Sequence, residues 1–287
     1  MTLHPKVAIY TACDSNVFQG AMACLRSFRN HFPECSFYLV DSGLSSQQRR
    51  RAAREFKVVP SSPSRFPWEE DKQSYFFHAY RNNNIEAEYL VYADCDTVAL
   101  RRDARLLTVP HGKIGTVCES NYPKKFTLKQ QFSNFSALYY FNEKPVPLRD
   151  KFSRNTGIIA GDRAGWEILL NSLGLMHAED SKVFEDSCTD QGSVGISIYR
   201  SNIDFDLPLE LNCPLSATKD CMNPSVIHFT GYRKPWALQR YRPNIYDAGY
   251  IDWRANSSWL DFPARHWGHC VYFALRDAKD RIVSSEN

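Results

Sequence analysis

The sequence lacks any apolar run long enough to cross a bilayer. None of its 287 residues belongs to a stretch approaching the roughly 18 to 20 apolar residues that a spanning helix needs. The amino terminus, MTLHPKVAIY, enters a predicted strand within a few residues and does not resemble a secretory signal. We therefore expect a soluble, cytoplasmic protein.

Two further features are scarce: excess charge and paired cysteines. The formal net charge is only +3, far below the basic excess of a typical nucleic-acid-binding protein, so we predict no nucleic-acid partner. The nine cysteines are odd in number and include no Cys-x-x-Cys pair, which argues against a disulfide framework and a zinc ribbon. We expect reduced thiols, as in cytoplasmic proteins.

The chain also shows no internal repeat and no linker that would divide it. With 43% hydrophobic and 14% aromatic residues it has enough apolar material for one sizeable core. Strand-like and helix-like segments alternate over the first hundred residues, which predicts an α/β fold with a mainly parallel, doubly wound sheet. The strands are predicted at residues 6–13, 35–41, 58–59, 89–93, 114–118, 155–160 and 225–229. The helices are predicted after residues 17, 45 and 162, and at 73–83 and 186–199.

One strand ends in two carboxylates. The apolar run YLVYA is followed by Asp94, Cys95 and Asp96. In an extended chain residues i and i+2 point to the same side, so both carboxylates could converge on one hard cation. A solvated turn is the alternative, but two acids directly after a buried strand are costly unless a cation or donors offset them.

Four other polar segments border predicted strands or helices. They contain these candidate residues: Thr11, Ala12, Asp14 and Asn16; Asn155 and Gly157; Asp190 and Gln191; and His228, Gly231 and Lys234. His228 taken alone is more often a packed core histidine than a ligand. A glycine permits close approach of a ligand to the backbone, and a lysine is a point cation suited to phosphate. Together with Asp94 and Asp96 they predict a divalent metal that holds a diphosphate.

The segment HFTGYRKPW resembles the His-x-x-Gly-x-x-Lys-Pro-Trp signature of glycosyltransferase family 8, the retaining enzymes that include bacterial lipopolysaccharide galactosyl- and glucosyltransferases and glycogenin. Four more segments resemble family motifs in the expected order: YTACDSN, YADCDT, NTGIIAGD and TDQGSVG, with FYLVDSGLS as the second strand. The resemblance covers about residues 6–236.

The resemblance implies a GT-A fold, a UDP-sugar donor, a glycan or lipid-linked glycan acceptor, and Mn²⁺ or Mg²⁺ as cofactor. It implies metal ligation by Asp94, Asp96 and His228. It places Gly231 and Lys234 on the diphosphate, and Asn155, Gly157, Asp190 and Gln191 around the transferred sugar. It lines the donor site with Thr11, Ala12, Asp14, Asn16, Asp94 and Cys95.

The retention mechanism stays open at this stage. The family places Gln191 below the anomeric carbon, and an amide is a poor nucleophile, so we favour a front-face path in which the departing phosphate takes the acceptor's proton. Asp190 as the nucleophile is the alternative. The sequence departs from the family in Thr156, which replaces an alanine, and in a missing arginine before the Asp-x-Asp strand, for which Lys72 or Arg81 could substitute.

Other functions are weighed against this one. A sugar-phosphate nucleotidyltransferase should carry a Gly-rich basic loop after its first strand, and CDSNVFQG is not one. A catalytically silent relative and a self-glycosylating protein remain alternatives. We assign residues 1–258 to the catalytic domain and 121–150 to the acceptor side. For the aromatic and basic tail, 259–287, peripheral membrane contact and packing on the body are equal hypotheses.

Overall fold

A computed structural model describes residues 6–61, 85–118, 138–141, 144–147, 154–179, 190–214, 221, 223–229, 234 and 256. The described strands are β1 (Val7–Cys13), β2 (Ser36–Asp41), β3 (Lys57–Pro60), β4 (Tyr89–Ala93), β5 (Thr97–Ala99), β6 (Ile114–Cys118), β7 (Leu138–Phe141), β8 (Lys144–Pro147), β9 (Arg154–Asp162), β10 (Asp204–Leu207), β11 (Cys213–Pro214) and β12 (Val226–His228). The described α-helices are α1 (Phe18–His31), α2 (Ser46–Ala52), α3 (Arg163–Glu179) and α4 (Asp190–Arg200). Short 3-10 helices cover Ala104–Leu107 and Leu209–Leu211.

A seven-stranded sheet in the order β10-β6-β9-β4-β1-β2-β3 forms the centre of the fold. The pairs β1–β2, β1–β4, β2–β3 and β6–β10 are parallel, whereas β9 runs antiparallel to both β4 and β6. The predicted mainly parallel α/β sheet is therefore confirmed. The reversed direction of β9 brings its first residues to the same edge at which β1, β2 and β4 end.

The first two helices, α1 and α2, lie where the sequence pattern predicts them. The apolar positions of α1 recur at helical spacing, and Ala21, Cys24, Leu25 and Phe28 are all fully buried. In α2 the hydroxyl of Ser45 accepts from the amide of Gln48, and the Gln48 side chain accepts from the Ser45 amide, which is a complete capping box. Both helices were predicted.

The strand β4 is buried on both faces, as its continuous apolar sequence predicts. Tyr89, Val91 and Ala93 pack with α1 on one face of the sheet. Leu90 and Tyr92 pack on the other face with Trp166 of α3 and the buried residues of α4. The sheet thus separates two cores, and β4 contributes side chains to each.

The helix α3 begins directly after β9. The Asp162 carboxylate accepts from the Gly165 amide at 2.8 Å, so it caps this helix, as predicted. The helix α4 packs against α3 and β9. It was predicted from residue 186, and its described part begins at Asp190.

A second, three-stranded sheet in the order β11-β12-β5 lies beside the central one. The strand β12 pairs antiparallel with β5, and the register places His228 opposite Thr97. The amide of Ala99 in β5 donates to the Ser27 hydroxyl of α1 at 3.0 Å, which attaches the small sheet to the first helix. The strands β5, β10 and β11 were not predicted, because each is only two to four residues long.

Three predicted regions fall wholly or largely outside the described residues. They are the helix at 73–83, the tail at 259–287 and most of 121–150. Within the last region, β7 and β8 pair antiparallel, so this predicted irregular stretch contains a hairpin. No described helix is long and apolar enough to cross a membrane.

Candidate metal and nucleotide-sugar site

The two acidic residues after β4 lie on a tight turn. The carbonyl of Asp94 accepts from the Thr97 amide at 3.0 Å and from the Thr97 hydroxyl at 2.8 Å, so residues 94–97 form a hydrogen-bonded four-residue turn. The sequence interpretation of an extended chain at this point was wrong, because β4 ends at Ala93. The convergence of the two carboxylates is produced by the turn, and Asp96 is nevertheless only 4% exposed.

The small sheet brings His228 to this turn. Because β12 pairs with β5 immediately after the turn, His228 lies opposite Thr97, and the Phe229 amide donates to the Asp96 carbonyl at 2.8 Å. The imidazole Nε2 lies 3.2 Å from Asp96 Oδ1 and 3.5 Å from Asp94 Oδ2. The predicted proximity of His228 to both aspartates is therefore confirmed.

The ligand atoms of Asp94, Asp96 and His228 all lie within 4.8 Å of one another, so they could hold one metal ion. Two carboxylate oxygens and one imidazole nitrogen suit a borderline or hard divalent cation such as Mn²⁺ or Mg²⁺. Three ligands from the described part of the chain would leave coordination positions open for a substrate. These residues therefore fit an open metal site.

Each carboxylate also has a supporting contact on its other oxygen. The buried Tyr92 hydroxyl donates to Asp94 Oδ1 at 2.6 Å, and burial together with Asp94 raises the pKa of this phenol well above its usual value. Tyr92 is therefore neutral and remains a donor. Lys234 Nζ contacts Asp96 Oδ2 and donates to the Phe229 carbonyl at 2.9 Å.

The charges in the cluster are mutually dependent. Burial alone raises the pKa of Asp96, but His228 and Lys234 outweigh it and hold this pKa below its usual range. Burial alone lowers the pKa of His228, but Asp96 and Asp94 outweigh it and raise this pKa. Asp96 is therefore ionised at neutral pH, and the two carboxylates favour the protonated form of His228.

The other ring nitrogen of His228 has a partner that sequence reasoning missed. Nδ1 lies 3.0 Å from Asn212 Oδ1, and Asn212 Nδ2 donates to Asn155 Oδ1 at 2.7 Å. Asn155 Oδ1 also accepts from the Gly157 amide at 2.9 Å. All these side chains are buried. No motif indicated Asn212, and only its place directly before β11, the neighbour of β12, explains its position.

Gly157 provides space for the imidazole. A Cβ atom at this position would lie 2.2 Å from His228 Nδ1 and 2.3 Å from Cε1, closer than carbon atoms of real side chains approach. The Gly157 carbonyl accepts from the Asp94 amide at 2.9 Å, so the same residue also fixes the start of the acidic turn. The predicted Asn155–Gly157 edge therefore contacts the metal cluster directly.

The predicted nucleotide-binding residues lie at the end of β1, on the same sheet edge. Asp14 accepts from the Asn16 amide at 2.8 Å, from the Asn16 side chain at 3.1 Å and from the Val17 amide at 3.3 Å. The Thr11 hydroxyl is fully buried and has no partner in the part of the chain that the structure describes. Ala12 is buried beside Val40 of β2. A nucleotide-binding role for these residues stays a prediction.

The remaining candidates are placed less completely. Cys95 is partly exposed, and burial, together with Asp96 and Asp94, raises the pKa of its thiol well above the usual value. Asp190 and Gln191 occupy the first turn of α4, and their side chains lie outside the described part of the chain. Gly231 is also outside the described residues.

The α/β architecture, with its mainly parallel seven-stranded sheet, matches the GT-A fold of solved glycosyltransferases. A structure of the galactosyltransferase LgtC with donor and acceptor sugar analogues is similar with a TM-score of 0.58 and 15% identity, covering 91% of this chain and 99% of LgtC. The bifunctional glycosyltransferase WbbM has a TM-score of 0.58 and 17% identity over 91% of this chain, which matches 51% of WbbM. GlyE of Streptococcus pneumoniae TIGR4 has a TM-score of 0.55 and 12% identity over 86% of this chain and 60% of its own.

No protein-family model matches the chain, and no curated protein matches it by sequence. At identities of 12 to 17% the structural similarity establishes the GT-A fold. The activity has to be argued from the residues of the site.

Proposed function

We propose that the protein is a retaining glycosyltransferase that moves a hexose, galactose or glucose, from a UDP-sugar to a glycan or lipid-linked glycan. The observation that carries this proposal is the convergence of Asp94, Asp96 and His228 at the carboxyl edge of β4 in a GT-A fold. Open α/β sheets bind ligands at this edge. The LgtC structure, which holds donor and acceptor analogues, supports a sugar donor and acceptor.

The chemistry explains why these residue types are needed. Cleaving a sugar from a diphosphate leaves negative charge on the departing oxygen, and stabilising that charge lowers the barrier. A Mn²⁺ or Mg²⁺ ion held by the three ligands supplies Lewis-acid neutralisation of the diphosphate. In this proposal Lys234 exchanges its contact with Asp96 for a phosphate oxygen, and Gly231 lets the backbone approach the diphosphate closely.

Retention of configuration is proposed to follow a front-face path. The bond between the anomeric carbon and the diphosphate oxygen breaks, the acceptor oxygen attacks from the same face, and the acceptor's proton passes to the departing phosphate. Asp190 and Gln191, in the first turn of α4, stabilise the positive charge that develops on the sugar. Nucleophilic attack by Asp190 is the alternative path.

The finer assignments are part of the same proposal. Thr11, Ala12, Asp14, Asn16 and Cys95 line the donor, and Asn155 and Gly157 face the transferred sugar. Residues 1–258 form the catalytic domain in the cytoplasm. The tail, 259–287, makes peripheral contact with a membrane that carries the acceptor, and liposome flotation unchanged by its deletion would contradict this contact.

The test is a panel of nucleotide sugars incubated with the protein and Mn²⁺, with slow donor hydrolysis as the readout. This assay needs no knowledge of the acceptor. We expect hydrolysis of UDP-galactose or UDP-glucose, its loss with a chelator, and at least a hundredfold decrease in Asp96→Asn. The matched control is Asp204→Asn, an exposed aspartate of β10, which should hydrolyse the donor like the wild type.

Other outcomes identify the competing functions. Equal hydrolysis by Asp96→Asn and wild type would refute the metal assignment. Binding of a UDP-sugar without hydrolysis or transfer would indicate a catalytically silent protein. Addition of hexose to the protein itself, measured by mass spectrometry, would indicate self-glycosylation. Release of pyrophosphate from a nucleoside triphosphate and a sugar phosphate would indicate a nucleotidyltransferase.

A further inference from the structure

A histidine can bind a metal through Nε2 only when this nitrogen has no proton. A neutral imidazole carries its single proton on either Nδ1 or Nε2, and the hydrogen bond made by one nitrogen selects the state of the other. In this protein Nε2 of His228 faces both carboxylates, and Nδ1 faces Asn212. The identity of the Asn212 atom at Nδ1 therefore decides whether Nε2 is available.

The orientation of the Asn212 side-chain amide can be deduced from the backbone amide of Gly157. The Gly157 amide can only donate, so the Asn155 side-chain atom 2.9 Å away must be the oxygen. Asn212 lies 2.7 Å from that oxygen and therefore turns its NH₂ group toward it. The same NH₂ group lies 3.4 Å from the Asn155 carbonyl, which also accepts only.

The remaining Asn212 atom is then the oxygen, and it faces His228 Nδ1 at 3.0 Å. An oxygen at this position accepts a hydrogen bond, which requires the proton on Nδ1. Rotating the amide by half a turn would place two oxygens 2.7 Å apart between Asn212 and Asn155 in a buried site, which is strongly unfavourable. The hydrogen bonds that run from the Gly157 amide through Asn155 and Asn212 to the imidazole, which we call the relay, can therefore form with only one orientation of the Asn212 side chain.

We propose that Asn155 and Asn212 are positioning residues that keep the proton of neutral His228 on Nδ1 and so present the Nε2 lone pair to the divalent cation. This inference rests on the proposed function and deepens it, because it gives Asn155 a role in metal affinity that does not require a sugar. Gly157 takes part twice, through its amide and through the space that its missing side chain leaves for the ring.

The experiment measures Mn²⁺ binding to the full chain with no nucleotide present, by electron paramagnetic resonance of the free ion. Asn212→Leu and Asn155→Leu preserve side-chain volume and remove the relay. We expect Asn212→Leu to bind Mn²⁺ 10 to 100 times more weakly, the range typical for loss of an outer-shell partner. Asn155→Leu should weaken binding by several-fold, whereas a residue that contacts only sugar would leave Mn²⁺ binding unchanged.

Two further variants separate positioning from simple loss of structure. Asn212→Asp still accepts from Nδ1–H, so it should bind Mn²⁺ more tightly than Asn212→Leu even if it is less stable to heat. Ser225→Ala removes another buried hydrogen bond at the start of β12, to Asp103, without touching the relay, and it should bind Mn²⁺ like the wild type. Asp96→Asn should not bind measurably.

The wild type gives an independent readout. In the metal-free protein labelled with ¹⁵N-histidine, at a pH high enough for the imidazole to be neutral, the His228 signals, assigned by their absence in His228→Gln, should show a protonated Nδ1 and an unprotonated Nε2. A protonated Nε2, or wild-type Mn²⁺ affinity in both leucine variants, would overturn the inference. If the leucine variants do not fold, this spectrum alone decides. A wild type that binds no Mn²⁺ would instead overturn the proposed metal site itself.

Discussion

The strands β2 and β4 lie on either side of β1 and run in the same direction, and each apolar run leads to an aspartate, but the two acidic ends differ in their partners. Asp41 is the last residue of β2; it accepts from the amides of Gly43 at 3.0 Å and Leu44 at 2.8 Å, and Arg49 Nε donates to it at 2.6 Å. Its charge is therefore offset by donors that lie within eight residues along the chain. These hydrogen bonds stabilise the loop between β2 and α2.

The end of β4 is organised in the opposite way. Asp94 and Asp96 are held next to each other, and the groups that offset their charge are His228 and Lys234, which come from far along the chain. Two adjacent carboxylates repel each other, so the fold maintains an arrangement that a cation would relieve. The comparison thus separates an aspartate that nearby amides and an arginine already satisfy from a pair of aspartates whose charge is offset by residues remote in the sequence.

The largest effect is expected from Gly157→Ala, which disturbs the β4 end through its packing. The added Cβ would overlap the His228 ring, so the imidazole must move away from the carboxylates. We expect a loss of Mn²⁺ affinity of at least tenfold and a decrease in the free energy of unfolding of about 1 to 3 kcal/mol, typical of overpacking. Mn²⁺ titration and urea unfolding measure the two effects. Unchanged affinity would show that His228 does not depend on this space.

A smaller effect is expected from Tyr92→Phe, which removes the hydroxyl that donates to Asp94 Oδ1. The ring remains in the core beside Tyr10, so the fold should persist. Asp94 loses one support, and Mn²⁺ affinity should fall by about 3- to 10-fold, at or below the lower end of the range for lost outer-shell partners. The control is Tyr89→Phe, whose hydroxyl bonds to the Leu106 carbonyl and the Val109 amide and should not affect Mn²⁺. Equal effects of both variants would contradict a specific role for Tyr92.

A substitution at the end of β2 should change the free energy of unfolding but not the affinity for Mn²⁺. Asp41→Asn keeps one acceptor oxygen but loses the charge that pairs with the half-exposed Arg49. We expect the free energy of unfolding to fall by about 1 kcal/mol, because exposed ion pairs contribute little and the charged hydrogen bonds somewhat more. Mn²⁺ affinity should equal that of the wild type. A changed affinity would mean that the two strand ends are not independent.

The smallest effect concerns pH and Asp103, another aspartate that supports the fold. Hydrogen bonds from Arg105, and then from Ser225, hold the pKa of Asp103 at about 2, against the effect of burial. A depressed pKa stabilises the fold above the unfolded value near 4, and this contribution is lost as the pH falls from about 4 toward 2. Because Arg105 is half exposed, we expect about 1 kcal/mol. Urea unfolding at pH 6 and pH 3 should show a smaller acid-side loss in Asp103→Asn. An identical loss would contradict this role.

The long elements of the fold could be predicted from sequence because each carries its own pattern. Helix α1 has its periodic apolar face, α2 has its capping box, and β4 is a continuous apolar run. The antiparallel direction of β9 could not be predicted, because an apolar strand has the same sequence pattern in parallel and antiparallel pairs. The strands β5 and β11 are too short for any period to appear.

The convergence of Asp94, Asp96 and His228 was predicted, but the residues that support these side chains were not. The positions of Asp94, Asp96 and His228 followed from strand ends and from a motif, although the turn at residues 94–97 was mistaken for extended chain. Asn212 carries no signal in the sequence LELNCP, because an asparagine before a two-residue strand is typical of any loop. Its role depends on a pairing between β11 and β12 that no local pattern specifies.

The pairing of β5 with β12 has a consequence for biosynthesis. The ribosome completes the acidic turn more than a hundred residues before it adds His228. During that interval a nascent chain carries the two aspartates without the imidazole that lies against them in the folded protein. The cluster should accordingly close only after both segments have been synthesised and β12 has paired with β5.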